Sequence, residues 1–339
     1  MKQVKKRNGT VVDFSEEKIV NAIKKAFAAT HAHIGKEEIS HLAEGIMNEI
    51  ETRFPEQIPS VEKIQDIVEL AIMNAGYHEV AKAYIIYRYE HTKIREEKQQ
   101  EVVQKIEEQK LSVTKRSGKK EYFSEEKIKK TLSYFTKGHE GAVDVCAITN
   151  QLKLEVYENI TTKEITKALI MVVRSMIELD PAYSKVAARM LLDKLYQEVF
   201  GSEFSYENLF DEHVKAFSRN IHNAIKKGLL DPKMAEFDHE LLAKNLILKN
   251  DDLFEYMGLE ILSSRYFMED TDAKRPIETP QMFWMRVAMG TAINEKKKDR
   301  DRVALEFYDV LSNFYYTPGG RTLFQAGAIK AQLSNCFLN

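Results

Sequence analysis

The chain has 339 residues and a mass of 39.2 kDa, which at roughly 100–200 residues per domain predicts two or three domains. Its 50 Lys and Arg residues balance 52 Asp and Glu residues, so the charge gives no indication of nucleic-acid binding. No apolar run approaches the roughly 20 residues that cross a bilayer, and no secretory signal follows the first methionine. The two cysteines, Cys146 and Cys336, are too few for a disulfide framework or a zinc site. We therefore expect a cytoplasmic protein that has no metal site and binds neither nucleic acid nor membrane.

An internal repeat organises the first 200 residues. The hexapeptide FSEEKI at 14–19 recurs unchanged at 123–128, and the same offset pairs Lys6 with Lys115 and Arg7 with Arg116. Agreement over so many positions at one spacing indicates a duplicated domain. The predicted boundaries are 1–95 for the first copy and 111–201 for the second copy. The charged segment 96–110 between them is predicted to be a solvated helical linker.

Each copy is predicted to be a β-hairpin followed by a helical bundle. The first copy has strand patterns at 3–7 and 10–14 around Asn8-Gly9, and the second has them at 112–116 and 119–123 around Ser117-Gly118. Ser15 and Ser124 are predicted N-caps, each followed by two glutamates in the first helical turn. Further helices should begin after Ser60 and after Thr162, and each copy should end in an amphipathic helix, at 80–88 and 186–196.

Cations cluster around each predicted hairpin turn. Lys6, Arg7 and Lys18 recur as Lys115, Arg116 and Lys127. Such cations beside a backbone turn and a helix N-terminus could hold a polyphosphate, and the alternative is that they are solvated surface. The chain has neither a GxxxxGK[ST] motif nor a GxGxxG motif in a βαβ unit, so a P-loop or dinucleotide fold has no support.

The segments VKKRNG (4–9) and VTKRSG (113–118), each followed by FSEEKI, resemble the ATP-cone, a regulatory domain that binds ATP or dATP. The resemblance implies that the nucleotide pocket of the first copy is lined by Lys6, Arg7, Val12, Asp13, Phe14, Ser15, Glu16, Glu17, Lys18, Tyr87 and Arg88. In the second copy the matching residues are Lys115, Arg116, the segment from Glu121 to Lys127, and Thr162. Asp193 and Lys194 replace Tyr87 and Arg88 there, so the second copy lacks the aromatic ring that could stack on the base.

Residues 202–339 are again predicted to be mostly helical. A helix should open at 206–210 and break at 228–232, and a buried helix should begin at Thr279-Pro280 with its methionines in the core. The helical pattern of 308–316 should run into a loop at 317–320, and 332–338 should form a short apolar strand. Because a strand needs a neighbour for its backbone groups, we expect this one to pair with another chain or with a continuation of this chain.

Three segments, at 276–290, 321–327 and 332–337, closely resemble the large catalytic subunit of ribonucleotide reductase. The implied fold is mostly α with two small β-hairpins: tandem ATP-cones, then the N-terminal helical region and first strand of a ten-stranded α/β barrel. The resemblance places Thr322 and Asn335 at the substrate and makes Cys336 the first of two redox cysteines. Cys146 is expected to be a small buried hydrophobic residue.

The resemblance implies a protein that reduces ribonucleotides, with diphosphates favoured and triphosphates left open, under allosteric control by ATP or dATP accompanied by Mg²⁺. The radical-bearing cysteine of the family has no counterpart, since no cysteine follows Cys336. We therefore expect an N-terminal portion, from a split gene, an intein-interrupted gene or a truncated chain, that reduces nothing alone. Expected partners are the remaining α-subunit, a radical-generating small subunit and further copies of the chain. The alternative is a stand-alone nucleotide sensor, which would not need the 332–337 segment.

Overall fold

A computed structural model describes residues 3–5, 11–30, 32, 34–55, 57–201 and 204–335, apart from the side chains of residues 11, 95, 96 and 98. The chain forms two compact units. The first unit contains residues 1–125 and 149–165, and the second contains residues 126–148 and 166–339. Within the described ranges, no helix is both long enough and apolar enough to cross a membrane.

The first copy of the repeat is a hairpin followed by a helical bundle, as predicted, and the bundle has four helices. Strands β1 (Gln3–Lys5) and β2 (Val11–Asp13) are antiparallel, with Val4 opposite Val12. The helices are α1 (Glu16–Ala29), α2 (Lys36–Arg53), α3 (Val61–Asn74) and α4 (His78–Glu107). Ser15 and Ser60 occupy the N-cap positions of α1 and α3, and the Ser60 hydroxyl accepts the Lys63 amide at 3.3 Å. The predicted turn at Asn8-Gly9 lies outside the described residues.

The predicted linker 96–110 is helical, but it is more than a solvated spacer. Helix α4 continues without a break to Glu107, and Ile106 is buried. Gln99 donates its side-chain amide to the Leu154 carbonyl at 2.9 Å, and Lys105 pairs with Glu158 at 2.9 Å. The expectation of a fully solvated segment was therefore wrong, because one side of the helix packs against residues 154–158.

The second copy has the predicted hairpin and one strand more than predicted. Strands β3 (Ser112–Thr114) and β4 (Lys120–Tyr122) are antiparallel, and β5 (Ile160–Thr161) adds to β3 in parallel. The turn closes through the Gly118 amide, which donates to the Lys115 carbonyl at 2.9 Å. Gly118 has φ +80°, which favours glycine at this position. The first copy has an equivalent of β5, since Lys5 forms a parallel bridge with Ser60.

Ten helices follow along the rest of the described chain. They are α5 (Glu125–Phe135), α6 (Val145–Lys153), α7 (Thr162–Ser175), α8 (Ala182–Phe200), α9 (Leu209–Lys226), α10 (His239–Lys244), α11 (Tyr256–Arg265), α12 (Pro280–Ala292), α13 (Lys297–Ser312) and α14 (Gly320–Gln325). Short 3₁₀ helices form at Tyr206–Asn208, Pro232–Glu236 and Leu248–Leu253. The expected helix start near 206 and the break at 228–232 are confirmed. Cys146, expected to be buried, is exposed because it lies on the outer face of α6.

Helix α12 is the centre of the second unit. Thr279 is its N-cap and Pro280 its first residue, as predicted. Met282, Met285 and Met289 are at most 2% exposed, which confirms that they are core residues. Trp284 and Arg286 are equally buried, so the helix is enclosed on all sides. A helix that is covered all round cannot be recognised by an amphipathic stripe, and its position depends on the elements that pack around it.

Two predictions for the C-terminal segment were wrong. The helix expected over 308–316 ends at Ser312, because Phe314 adopts a left-handed backbone with φ +58°. Residues 331–335 have no regular structure, so the described part of the expected strand 332–338 is not a strand. A single extended segment gains the hydrogen bonds of a strand only from a neighbouring strand, and the described chain places none beside it.

Candidate nucleotide site and substrate segment

The predicted pocket of the first copy starts where β2 leads into α1. Val12, Phe14 and Ser15 are half-buried, whereas Asp13 is exposed. The Ser15 side chain makes no capping hydrogen bond, although it occupies the N-cap position. The residues in the first turn of α1 are all exposed: Glu16, Glu17 and Lys18. A helix N-terminus whose cap hydroxyl is not engaged is open to a polar ligand. Lys6 and Arg7, the other predicted cations, lie outside the described residues.

Arg88, near the middle of α4, is held by two carboxylates of α3. Its guanidinium donates to Glu69 at 2.7 Å and to Asp66 at 2.8 Å. Burial lowers the pKa of Arg88, but the hydrogen bond to Asp66 and the two negative charges raise it on balance. Arg88 therefore stays protonated, and a phosphate group that recruits it must compete with Asp66 and Glu69.

Tyr87 presents an accessible aromatic ring beside Arg88. Its side chain is 50% exposed, and its ring centroid lies 4.1 Å from that of His91, one helical turn further on. Tyr84, by contrast, faces the core, and burial is the main reason why its pKa rises to about 12. The surface of α4 thus offers the ring that the ATP-cone resemblance assigns to base stacking.

In the second copy, the parallel pairing of β3 with β5 sets the position of two predicted residues. Thr114 is paired with Thr161, so Lys115 and Thr162 directly follow two adjacent strands at the same end of the sheet. Lys115 forms an ion pair with Glu121 at 2.9 Å. Arg116 lies exposed in the hairpin turn, and Lys127 lies exposed on α5. Lys115 and Glu121, both predicted to bind the nucleotide, are thus already paired with each other.

The last helix of the second copy has no counterpart of the accessible Tyr87 ring. Asp193 accepts a hydrogen bond from the Tyr206 hydroxyl at 2.6 Å and another from Gln197 at 2.7 Å. Lys194 faces Glu198 at 3.9 Å. The carboxylate at this position would repel a nucleotide phosphate, and its hydrogen bonds hold it within the second unit.

The predicted substrate residues Thr322 and Asn335 lie together around α14. The Thr322 hydroxyl donates to the Leu333 carbonyl at 2.8 Å, and the Asn335 side chain accepts the Arg321 amide at 2.8 Å. Gly319 lets the Asn335 side chain approach closely, because a β-carbon there would collide with that side chain unless it moved. The segment 331–335 is therefore folded back onto α14. Cys336, the predicted redox cysteine, lies outside the described residues.

Helix α14 is anchored to α12 by a buried arginine that the sequence analysis did not single out. Arg286 is 1% exposed and pairs with the buried Glu278 at 2.6 Å. It also donates to the Ala326 carbonyl at 2.9 Å and to the Leu323 carbonyl at 3.3 Å. The available signal was the presence of both charges within an otherwise apolar segment, since charged residues are rarely buried unless paired.

A second buried network was also missed, and it joins α8 to α12 and α13. Asp251 accepts hydrogen bonds from the hydroxyl of Tyr196 on α8 and from Gln281 on α12. Gln281 in turn accepts the hydroxyl of Tyr308 on α13 at 2.7 Å. Burial raises the pKa of Asp251 to about 7, although both of its hydrogen bonds lower it. The network links the last helix of the repeat to the core of the second unit.

Comparisons with known proteins confirm both resemblances. The ATP cone domain family matches residues 2–93 and again residues 111–198, and the all-alpha domain of ribonucleotide reductase matches residues 252–330. The family matches therefore define a protein with two ATP cone domains ahead of a ribonucleotide reductase all-alpha domain.

Curated relatives cover almost the entire chain. The chain is 36% identical, over 99% of its length, to the ribonucleoside-diphosphate reductase subunit alpha of Chlamydia trachomatis, and 35% identical over 98% to that of Chlamydia pneumoniae. The corresponding subunit of Helicobacter pylori is 35% identical over 67% of the chain. The chain belongs to the ribonucleotide reductase α-subunit family. It spans 33%, 32% and 28% of the length of these three relatives, respectively.

Proposed function

We propose that this chain is the regulatory and substrate-contacting N-terminal part of an enzyme that reduces ribonucleoside diphosphates to deoxyribonucleotides. The observation that carries the proposal is the order of the matches: two ATP cones precede the reductase all-alpha domain in one chain. The diphosphate substrate is supported by the relatives, which are named ribonucleoside-diphosphate reductases. The proposed domain limits are 1–95, 96–110, 111–201 and 202–339.

The effector site is proposed for the first ATP cone, with ATP or dATP as its ligand and Mg²⁺ bound to the phosphates. The exposed ring of Tyr87 supports stacking on the base, and Arg88 with Lys6, Arg7 and Lys18 would hold the phosphates. The second cone is a weaker candidate, because Lys115 and Glu121 pair with each other and Asp193 stands where the first copy has Tyr87.

The substrate segment is proposed to be 319–336. Thr322 and Asn335 are brought together at α14, and Cys336, the residue after Asn335, would supply one of the two thiols that reduce the ribose. The second thiol, the radical cysteine and most of the barrel would come from a further part of the α-subunit, and the radical from a small subunit. Assembly into homo-oligomers and a cytoplasmic location remain part of this proposal.

The reaction is tested by assaying reduction of cytidine diphosphate in the presence of a radical-generating subunit. The chain alone should be inactive, and activity should appear when a second chain supplies the rest of a related α-subunit. Cys336→Ser should abolish that activity, while Cys146→Ser should leave it intact. Reduction by the isolated chain, or full activity of Cys336→Ser in the complemented enzyme, would contradict the proposal. The match to the reductase domain over 252–330 argues against a stand-alone sensor.

A further inference from the structure

A polar cavity of about 310 Å³ opens in the second unit, at the junction of α8, α9 and the loop before α12. Phe200 and Gly201 at the end of α8 form one wall, and Ala224 of α9 and Ile277 form an apolar floor. The polar groups around the rim come from Arg219, Asn220, Asn223, Lys227, Asp270 and Arg275. None of these residues belongs to the effector or substrate sites proposed above.

Two arginines give the cavity its charge. Among the described residues, no carboxylate pairs with Arg219 or with Arg275, and the Arg275 guanidinium donates one weak hydrogen bond, of 3.4 Å, to the Glu198 carbonyl. Both arginines are exposed. An arginine without a carboxylate partner keeps its forked set of donors available for an incoming anion.

The acidic residue in the wall does not cancel this charge. Asp270 accepts Lys227 at 2.8 Å and also the backbone amides of Asp272 and Ala273 at 2.9 and 3.0 Å. These hydrogen bonds hold the pKa of Asp270 far below its usual range, and the bond from Lys227 contributes most. Lys227 is shared with Asp272 at 2.7 Å. Among the residues that line the cavity, Lys227 offsets Asp270 and the two arginines leave a charge of +2, while Asp272, outside the lining, adds one negative charge nearby.

We propose that this cavity binds a small phosphate-bearing dianion. Two guanidinium groups match the charge of a phosphate monoester or pyrophosphate better than that of a single carboxylate, and arginine binds phosphate oxygens in a bidentate manner. The Asn223 amide is exposed at the same rim and can donate a further hydrogen bond. The volume is at the lower end of the range for small-molecule sites, about 300–1,000 Å³.

The position of the cavity gives the ligand a structural consequence. Helix α8 closes the region matched by the second ATP cone, 111–198, whereas Asp270 and Arg275 belong to the region matched by the reductase all-alpha domain, 252–330. Residues of the reductase all-alpha region and of α9 would hold a bound anion against the end of α8. Binding should therefore stabilise the junction between the second cone and the reductase segment.

The experiment is calorimetric titration of the full chain with inorganic pyrophosphate, in the presence of enough dATP to saturate the proposed effector site. We expect one saturable site, whose affinity falls at least tenfold in Arg219→Gln/Arg275→Gln. Asn223→Asp, which adds a carboxylate to the rim without removing an arginine, should weaken binding as well. The matched control Arg302→Gln removes an exposed arginine of α13 that does not line the cavity, and it should bind like the native chain.

Three results would overturn the proposal. The first is absence of saturable pyrophosphate binding to the native chain, and the second is unchanged affinity in both cavity variants while their circular dichroism spectra remain native. The third is binding of citrate as tight as that of pyrophosphate, which would assign the cavity to carboxylates. Because dATP is present throughout, failure here is distinguishable from failure of the effector site, which a separate titration with dATP measures.

Discussion

The Arg88 guanidinium and the Glu69 carboxylate lie 2.7 Å apart, and Asp66 completes the pair from the same face of α3. Arg88 is only 20% exposed, so water screens its charge incompletely and the two carboxylates compensate it. A residue that the ATP-cone resemblance assigns to nucleotide binding is thus paired with two carboxylates of the same domain. An incoming phosphate would therefore have to compete with these two internal carboxylates for the Arg88 guanidinium.

Removing one carboxylate should therefore strengthen effector binding. We expect Glu69→Gln to increase the affinity for dATP about fivefold, which corresponds to about 1 kcal/mol of lost competition. Glu49→Gln is the matched control, since it removes the same charge from the exposed Arg53–Glu49 pair on α2. Calorimetric titration with dATP measures both. Equal affinities of Glu69→Gln and the native chain would show that Arg88 takes no part in binding.

The exposed tyrosines of α4 provide a test of base stacking. Tyr87→Ala should weaken dATP binding about tenfold, because loss of an aromatic platform costs about 1–3 kcal/mol per base. Tyr89 is 70% exposed on the same helix but projects about 200° away around the axis, so Tyr89→Ala should have no effect. Intrinsic fluorescence or calorimetry can report the affinities. If both variants lose the same affinity, the effect lies in the helix as a whole and stacking by Tyr87 is refuted.

His213 makes the stability of the second unit dependent on pH. Its Nδ1–H donates to the Leu209 carbonyl at 2.8 Å, and its Nε2 accepts the hydroxyl of Thr279, the N-cap of α12, at 3.0 Å. Burial lowers the pKa of His213 to about 4, below the unfolded value near 6.5. Its contribution is complete above about pH 6.5 and is lost as the pH falls towards 4, because the unfolded chain then binds the proton more readily.

The size of this effect can be measured by urea unfolding at a series of pH values. The difference of about 2.5 pH units corresponds to about 3 kcal/mol at most. Between pH 6.5 and 4.5, the unfolding free energy of His213→Gln should fall less steeply than that of the native chain. His222→Gln, which changes an exposed histidine of the same helix, should keep the native slope. Identical slopes in all three proteins would exclude His213 as the origin.

The buried pair of Arg286 with Glu278 should be essential for stability. Arg286→Met leaves the Glu278 carboxylate buried without its charge partner and removes the donors to α14, which should cost about 3–5 kcal/mol of unfolding free energy. The double variant Glu278→Gln/Arg286→Met should recover part of that loss, since no charge is left unpaired. Chemical unfolding measures both, and a loss below about 1 kcal/mol in the single variant would contradict this role.

Features governed by local backbone chemistry could be predicted from the sequence. The glycine turn at Gly118, the helix start after Ser60 and the Thr279-Pro280 start of α12 depend on a few adjacent residues, and the structure confirms each one. Within residues 1–201 the repeat made such predictions stronger, because each element was indicated twice. The same repeat led to the ATP-cone resemblance, which the family matches confirm.

Features that depend on distant residues could not be predicted. Strand β5 needs β3 from nearly fifty residues upstream, and the carboxyl group of Asp251 meets Tyr196 and Gln281 only after three helices have packed. The uninterrupted length of α4 could have been anticipated, because residues 78–107 contain neither glycine nor proline. What the sequence did not indicate was that this helix would pack against residues 154–158.

The central claim is that the first ATP cone is the effector site, and titration of the native chain with dATP, alongside Lys6→Ala and Lys115→Ala, tests it most directly. We predict saturable binding that Lys6→Ala abolishes and Lys115→Ala leaves unchanged, because Tyr87 and Arg88 have no equivalents in the second cone. Loss of binding in Lys115→Ala with full binding in Lys6→Ala would place the effector in the second cone and contradict the claim. Absence of dATP binding to the native chain would contradict it outright.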